Sequence, residues 1–305
     1  MEVSIARKRK GNPVHGWVVL DKPYELGSTS AVGKVRWLFT AQKAGHAGTL
    51  DPLATGILPI ALGDATKTVP FMVDAKKAYQ FTLTFGENTD TWDTEGKVTE
   101  TSDIRPIEAD ILKALPQFIG DIEQIPPRYS AIKVDGKRSY DLARSGEVVE
   151  LKSRQVTVDS FELLDYNGQA ATFEVGCGKG TYIRSLARDL AAALGTCGHV
   201  TMLRRTRVGP FHLDQSFTLD ALENLCHRDA VSEALRPVET ALDDIPVLAL
   251  TEQEAIELKH GRAIVLTPSF MAETSEWILA MLEDKAIALC NASEGQLRPK
   301  KVFNL

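Results

Sequence analysis

An acid fixed in direction by its neighbours is the first group in this sequence that could do chemistry. Asp51 lies in residues 45–59, where Gly45, Gly48 and Gly56 alternate with Pro52 and Pro59 in an otherwise apolar stretch. Glycine lets a backbone turn sharply or approach a ligand, and the proline after Asp51 confines it to an extended conformation that gives its carboxylate a defined direction. A carboxylate held that way suits nucleophilic or general-base work. Spacing alone favours the plainer reading, a turn residue before proline. His46 carries the same two readings, a surface imidazole or a substrate contact. Arg184 stands one position off an apolar helical stripe, in a first turn where the helix dipole disfavours a cation, so an anionic partner would offset a cost. A buried Asp51–Arg184 pair would keep the acid ionised and fix its geometry; an exposed arginine fits the pattern equally well. Tyr79 falls on the apolar side of a strand, where core packing is the default and stacking on a nucleobase the alternative.

These groups need elements to carry them. A β-branched apolar run over residues 14–20 ends in Asp21-Lys22-Pro23 and reads as a strand and loop. Ala31, Val35 and Leu38 are spaced for a helix over about 29–39. The punctuation of residues 45–70 reads as an ordered loop with short elements. Tyr79, Phe81, Leu83 and Phe85 alternate with polar residues as a half-buried strand does, and a return strand is expected through Val98. Residues 105–118 read as helical, 140–144 as a short helix, and 155–164 and 170–177 as strands. Thr181 is placed to cap a helix with the stripe Ile183, Leu186, Ala187, Leu190 and Leu194, ended by Gly195. A linker is expected around 237–246. Past it, Thr251 and Glu254 form a capping box, and strands at 277–282, 285–291 and 299–303 suggest a small β-barrel module set apart from the main core.

Composition narrows the classes. At 305 residues, 44% hydrophobic and 25% charged, disorder, collagen and coiled coil are excluded. The longest apolar runs, such as 277–282, fall far short of the roughly 20 residues of a membrane-spanning helix. Four basic residues at 7–10 are followed by Gly11 and Asn12 instead of an apolar signal core. Cys177, Cys197, Cys226 and Cys290 are too widely spaced for a zinc knuckle or a compact disulfide framework. A soluble protein of the reducing cytoplasm is expected. The net charge of −6 is uneven: residues 1–219 sum to +1, residues 220–244 to −5 and residues 245–305 to −2. The first part therefore keeps basic clusters, at 7–10, at Lys76-Lys77, at Lys133 with Lys137-Arg138, and at Arg204, Arg205 and Arg207, which read as solvated faces or as a phosphate-binding surface.

Several motifs in order resemble the TruB family of tRNA pseudouridine synthases. Residues 45–59 resemble that family's signature loop, with Asp51 at the place of its aspartate. Leu20-Asp21-Lys22-Pro23 resembles the first motif, Lys76-Lys77-Ala78-Tyr79 the tyrosine strand, and residues 89–96 the turn after it. Residues 127–133 with Gly136, Tyr140 and Ala143-Arg144 resemble the middle block, residues 179–184 the Lys-Gly-Thr-Tyr-Ile-Arg motif, and Leu203-Arg204-Arg205-Thr206 the last. The end, residues 295–303, is similar to a PUA domain.

The resemblance implies an α+β pseudouridine synthase fold with a long mixed, largely antiparallel sheet flanked by helices, plus a small C-terminal PUA-like β-barrel. It implies a catalytic domain over 1–240, with 1–13 a flexible basic tail, and an RNA-binding domain over 245–305. The implied reaction is isomerisation of a T-arm uridine of tRNA (U55) after base flipping, with no cofactor, no metal and no membrane. A monomer needing no protein partner is expected. Asp51 would be the catalytic carboxylate, Tyr79 would stack on the extruded uracil, Arg184 would orient Asp51, and Leu203 would wall the pocket. His46 would fill the space the base leaves. Lys22 and Lys67 would lie near the cleft with Tyr182, and Lys76, Lys77, Arg204, Arg205 and Arg207 would contact phosphates. Three other readings stay open: a tRNA-folding chaperone role, a guide-RNA-directed relative, and a glycoside hydrolase pairing Asp51 with a second carboxylate such as Asp93.

Overall fold

The computed structural model describes residues 11–130, 133–134, 137–140, 151–266 and 276–305. In chain order its regular elements begin with β1 (Gly16–Lys22), α1 (Ser28–Leu38), β2 (Ala44–His46), β3 (Thr55–Leu62), α2 (Val69–Asp74), β4 (Lys77–Phe85), β5 (Glu87–Thr89) and β6 (Val98–Thr101). Next come α3 (Glu108–Ala114), β7 (Gly120–Gln124), β8 (Lys133–Val134), β9 (Lys137–Arg138), β10 (Arg154–Tyr166), β11 (Ala170–Cys177), α4 (Ile183–Ala193), β12 (Gly198–Val208), β13 (Phe211–His212) and α5 (Leu219–His227). The chain closes with β14 (Val247–Ala249), α6 (Glu252–Lys259), β15 (Ile264–Val265), β16 (Ile278–Leu282), β17 (Lys285–Ser293) and β18 (Gln296–Val302).

Nine strands form the main sheet in the order β1-β3-β12-β4-β11-β10-β7, with β2 on β3 and β13 on β12. Every pairing is antiparallel except β3 with β12. The expected mixed, largely antiparallel sheet is therefore present. Residues 45–70 depart from the loop reading. β3 is an eight-residue strand inside the sheet despite containing Pro59. Pro59 falls between the pairing of β3 with β12 at Thr55 and Gly56 and its pairing with β2 from Ile60 onward, and there it is used as an acceptor, its carbonyl taking Ala47 N–H at 3.0 Å.

Apolar faces on both halves of the sheet are covered. Phe81, Leu83, Phe161 and Phe173 pack with Ile183, Leu186, Ala187 and Leu190 of α4, the stripe the spacing predicted. Val18, Leu20, Leu58 and Ile60 pack with Ala31, Val35 and Leu38 of α1 and with Leu222 and Leu225 of α5. Tyr79 and Leu203 lie against both clusters, at the seam between them.

Thr181 does not cap α4. The helix begins after Tyr182, and Gln124 serves it from another strand: Tyr182 N–H donates to Gln124 Oε1 at 2.8 Å and Gln124 Nε2 returns a bond to Tyr182 O at 3.1 Å. The Thr251–Glu254 capping box does form. The short helix expected at 140–144 lies almost wholly outside the described residues.

The C-terminal unit is a five-stranded sheet, β14-β16-β17-β18-β15, with α6 packed on it around Leu258, Ile278, Ala288 and Leu297. It is less separate than the sequence suggests. Leu279, Leu289 and Phe303 share a core with Trp17, Ile57 and Phe211 of the main sheet, and Phe71 meets Trp277 edge-on at 5.5 Å. The expected linker takes part as well, since Val238, Ala241 and Leu242 are buried in that core. Among the described residues no helix is long and apolar enough to cross a membrane.

Candidate active site

Residues 47–54 connect β2 to β3, and four residues outside the loop hold them. Ala47 N–H donates to Pro59 O at 3.0 Å. The buried Ser28 hydroxyl, at the start of α1, both donates to Leu50 O at 2.8 Å and accepts from Leu50 N–H at 2.9 Å. Lys22 Nζ, at the end of β1, reaches Pro52 O at 3.1 Å while also bonding Pro23 O and Leu26 O. Arg205 Nη2, from β12, donates to Gly48 O at 3.1 Å. A loop tied to three strands and a helix presents Asp51 from a rigid frame.

Arg184 supplies the charge partner. Its guanidinium, 5% exposed, meets Asp51 Oδ2 through Nη2 at 2.8 Å and Asp93 Oδ2 through Nη1 at 3.3 Å. It also donates to Thr91 O and Tyr129 O, both at 2.8 Å. One buried cation thus spans two carboxylates of unequal character. Asp93 is 11% exposed and held by the Thr91 hydroxyl at 2.5 Å and by Glu95 N–H at 3.0 Å, while Asp51 is 41% exposed. Asp51 is the one left open to a substrate. The hydrolase reading loses its second carboxylate on this geometry, because both oxygens of Asp93 are already engaged, Oδ1 by Thr91 and Glu95 and Oδ2 by Arg184. Trp92, between Thr91 and Asp93, adopts a positive φ of 60°, and Arg188 stacks 4.0 Å over its ring, which fixes the turn that holds Arg184.

The cavity beside Asp51 has a volume of about 90 Å³ and is bounded by Leu50, Tyr79, Tyr182, Arg184 and Leu203. It continues into a cleft walled by Lys77, Arg154, Lys179 and Arg205. Asp51, Tyr79, Arg184, Leu203 and Tyr182 therefore converge from separated segments. Burial raises the Tyr79 phenol above its ordinary pKa, with Arg205 opposing in part, so the ring enters the cavity neutral. Burial and then Arg205 lower the His46 imidazole. His46 is partly buried at the end of β2, and its Nδ1 has no hydrogen-bond partner.

Several residues expected near the cleft or at phosphates make structural bonds instead. Lys67 is not at the cleft: it bonds Asp64 at 2.9 Å and Val302 O at 2.6 Å, tying the main sheet to the C-terminal strand β18. Lys77 is buried, and its ammonium caps the end of α2 through Met72 O, Val73 O and Ala75 O. Arg204 makes a two-point pair with Asp21 at 3.0 and 2.7 Å. Arg205 is 1% exposed and cannot reach a phosphate on the surface. Lys22 is fully buried, although beside the loop as expected. Lys76 is exposed but paired with Asp159 at 2.7 Å. Arg207 is on β12 opposite Ala78 and does not line the cleft at Asp51. Conversely, the sequence reading missed Asp93 as Arg184's second partner. It also missed Arg154, which lies 4.9 Å over the Tyr182 ring and donates to Gly180 O.

The chain is similar to known proteins over nearly its whole length. The model of the TruB family pseudouridylate synthase N-terminal domain matches residues 36–183, and that of the tRNA pseudouridylate synthase B C-terminal domain matches residues 184–243. The tRNA pseudouridine synthase B of Caulobacter vibrioides is 55% identical over 99% of this chain and 100% of its own length. That of Bradyrhizobium diazoefficiens is 53% identical over 98% of this chain and 91% of its own. Among solved structures, an H/ACA ribonucleoprotein bound to a substrate RNA containing 2'-deoxyuridine superposes with a TM-score of 0.74 at 24% identity, covering 100% of this chain and 93% of that one. A Cbf5-Nop10-Gar1 complex gives 0.73 at 26% identity, covering 97% and 92%. With full-length relatives above half identity and both domain models in register, this chain belongs to the TruB family of pseudouridylate synthases.

Proposed function

We propose that this protein converts the T-arm uridine 55 of tRNA to pseudouridine, with Asp51 as the acting carboxylate. The observation that carries the reading is the Asp51–Arg184–Asp93 arrangement at the mouth of a cavity walled by Tyr79 and Leu203. The target base leaves its stack at a cost of a few kcal/mol and enters this cavity. Tyr79, a neutral aromatic, stacks on the extruded uracil, and Leu203 closes the opposite side. Arg184 holds the Asp51 carboxylate toward the ribose, where it attacks or deprotonates the sugar as the glycosidic bond breaks. Uracil then turns and rejoins the ribose through carbon 5. His46, uncharged near neutral pH, meets the nucleotides displaced by flipping.

The substrate assignment rests on the names of the close relatives, all tRNA pseudouridine synthases B. Residues 1–240 form the catalytic domain in this proposal, and 245–305 grip the tRNA away from the reacting base. The test is an unmodified tRNA transcript incubated with the purified chain, with pseudouridine mapped by an adduct that blocks reverse transcription. A stop at position 55 is expected, absent with Asp51→Asn while that variant still binds tRNA. Product formed by Asp51→Asn at the wild-type rate refutes the assignment, and activity only with an added guide RNA refutes the substrate.

A further inference from the structure

The cleft holds a second buried arginine that the steps above leave unused. Arg205 of β12 stands directly across from Tyr79 of β4 in the sheet register, and both line the cleft with Asp51 and Lys77. Its guanidinium is satisfied by neutral groups: Nε donates to Ile57 O at 2.7 Å and Nη2 to Gly48 O at 3.1 Å. Among the described residues no carboxylate comes within ion-pair distance of it. Asp51, the acid of this cleft, is paired with Arg184 instead. A buried cation held only by carbonyls and the Tyr79 phenol is costly, because dipoles compensate it less than an opposite charge does. The loop closes over it even so: a Cβ on Gly48 would sit 3.4 Å from Arg205 Nη1. Its field reaches the neighbouring bases. Lys77 is lowered to about 8 by burial and then by Arg205. Lys22 is lowered to about 8 by burial, with Asp51 opposing and Arg205 adding to the fall.

The proposed reaction generates an anion in this place. When the bond between N1 and C1′ breaks, its electron pair stays on N1, and the detached uracil carries one negative charge spread over N1, O2 and O4. C1′ is taken by the Asp51 carboxylate, or C2′ gives that carboxylate a proton. C5 then bonds to C1′ and the Asp51 carboxylate is released, either as the leaving group from C1′ or by returning its proton to C2′. Finally C5 loses its proton and N1 gains one, so atoms and charge balance without any further reactant.

We propose that Arg205 is a positioning and charge-bearing residue for the detached uracil: it holds residues 48 and 57 beside Tyr79 and supplies a fixed positive field that the base meets only after becoming an anion. This rests on the functional reading above. A preorganised cation of this kind lowers the barrier because it needs no reorganisation when the charge appears. Uncharged uridine gains little from it, so binding and bond cleavage should separate on its removal.

The experiment compares full-length wild type, Arg205→Met and Arg205→Lys on tRNA transcripts carrying either uridine or 5-fluorouridine at the reacting position, in single turnovers. Fluorine withdraws electrons and makes the base a better leaving anion, so its departure needs Arg205 less. Arg205→Met should slow uridine conversion by about 100-fold, slow loss of 5-fluorouridine by about tenfold or less, and change tRNA affinity by no more than about twofold. Arg205→Lys should restore at least about tenfold of the uridine rate, since it keeps the charge but not the fork. Equal slowing of the two substrates, or a loss explained by affinity, overturns the proposal in favour of a purely structural arginine. Should Arg205→Met fail to fold, the substrate ratio in Arg205→Lys decides: a larger loss on uridine supports the proposal, and equal losses overturn it. A wild-type protein that makes no pseudouridine counts against the functional reading and not against Arg205.

Discussion

Replacing Arg184 tests the site most directly, because a single guanidinium makes four contacts there. Arg184→Met removes them all. Asp93 then keeps its bonds from Thr91 and Glu95 but loses its counter-charge at 11% exposure. Breaking a buried pair costs about 3–5 kcal/mol, and the surviving bonds favour the low end, about 3. Asp51, 41% exposed, adds less than about 1 kcal/mol to that loss because solvent screens it. A loss of about 3 kcal/mol lowers the melting temperature by roughly 10 °C or less in a chain of this size. The catalytic loss is separate and larger. Without Arg184 the Asp51 side chain is free to rotate, and misplacement by about 1 Å costs roughly 100-fold in rate. The assay is tritium release from tRNA labelled at uridine carbon 5, with filter binding in parallel. Expected are a kcat at least about 100-fold lower, tRNA affinity within about threefold, and a partial return of stability but not of kcat in Arg184→Lys, whose single ammonium cannot span two carboxylates. A kcat within tenfold of wild type in Arg184→Met, or an affinity loss as large as the rate loss, would refute the reasoning.

Gly56→Ala should be severe, since its Cβ would meet Arg205 O at 2.2 Å and its φ is +96°, whereas Gly48→Ala, with the nearest atom 3.4 Å away at the end of a side chain, should cost only about 1–2 kcal/mol of backbone strain. Thermal melts of the two variants check the order, and a milder Gly56→Ala would show that β3 and β12 are looser than described. Lys67→Met should lower stability by about 1–2 kcal/mol and make the C-terminal unit more open to proteolysis, because Lys67 joins Asp64 to Val302 O across the two units; unchanged proteolysis would count against this role. Burial brings Lys22 to about 8 in the folded chain, below its ordinary 10.5. Between those values the unfolded chain binds more protons, so this group's contribution to stability rises with pH from about 8 to 10.5. Denaturation of wild type and Lys22→Met at pH 7 and pH 10 should show wild type gaining on the variant at the higher pH, and a constant difference would contradict the buried ammonium.

Local rules carried much of the fold. Alternation along β4, the paired strands β10 and β11, the stripe of α4 and the capping box of α6 were legible because each depends on side-chain period or on residues three or four apart. The Asp51-Pro52 pair was legible as a directed carboxylate for the same reason, and family motifs in order pointed to Tyr79, Arg184 and Leu203. Where a charge finds its partner was not legible. Lys67 was expected near the cleft and Lys77 in a basic cluster, yet one closes a contact 235 positions away and the other caps a helix end a few residues off. Thr181 had the right type and place for a cap, but Gln124, 58 positions distant, serves that helix.

Sequence by itself determined most of the strands and helices, β3 excepted, and marked Asp51 before its proline as one candidate for a directed acid. Only the tertiary structure decided that Arg184 lies between Asp51 and Asp93 and that Arg205 is buried beneath the loop it holds. The physical reason is that backbone conformation follows from neighbours along the chain, whereas the compensation of a buried charge follows from strand order and register. Here a parallel contact between β3 and β12, across 148 positions, brings Arg205 to Ile57.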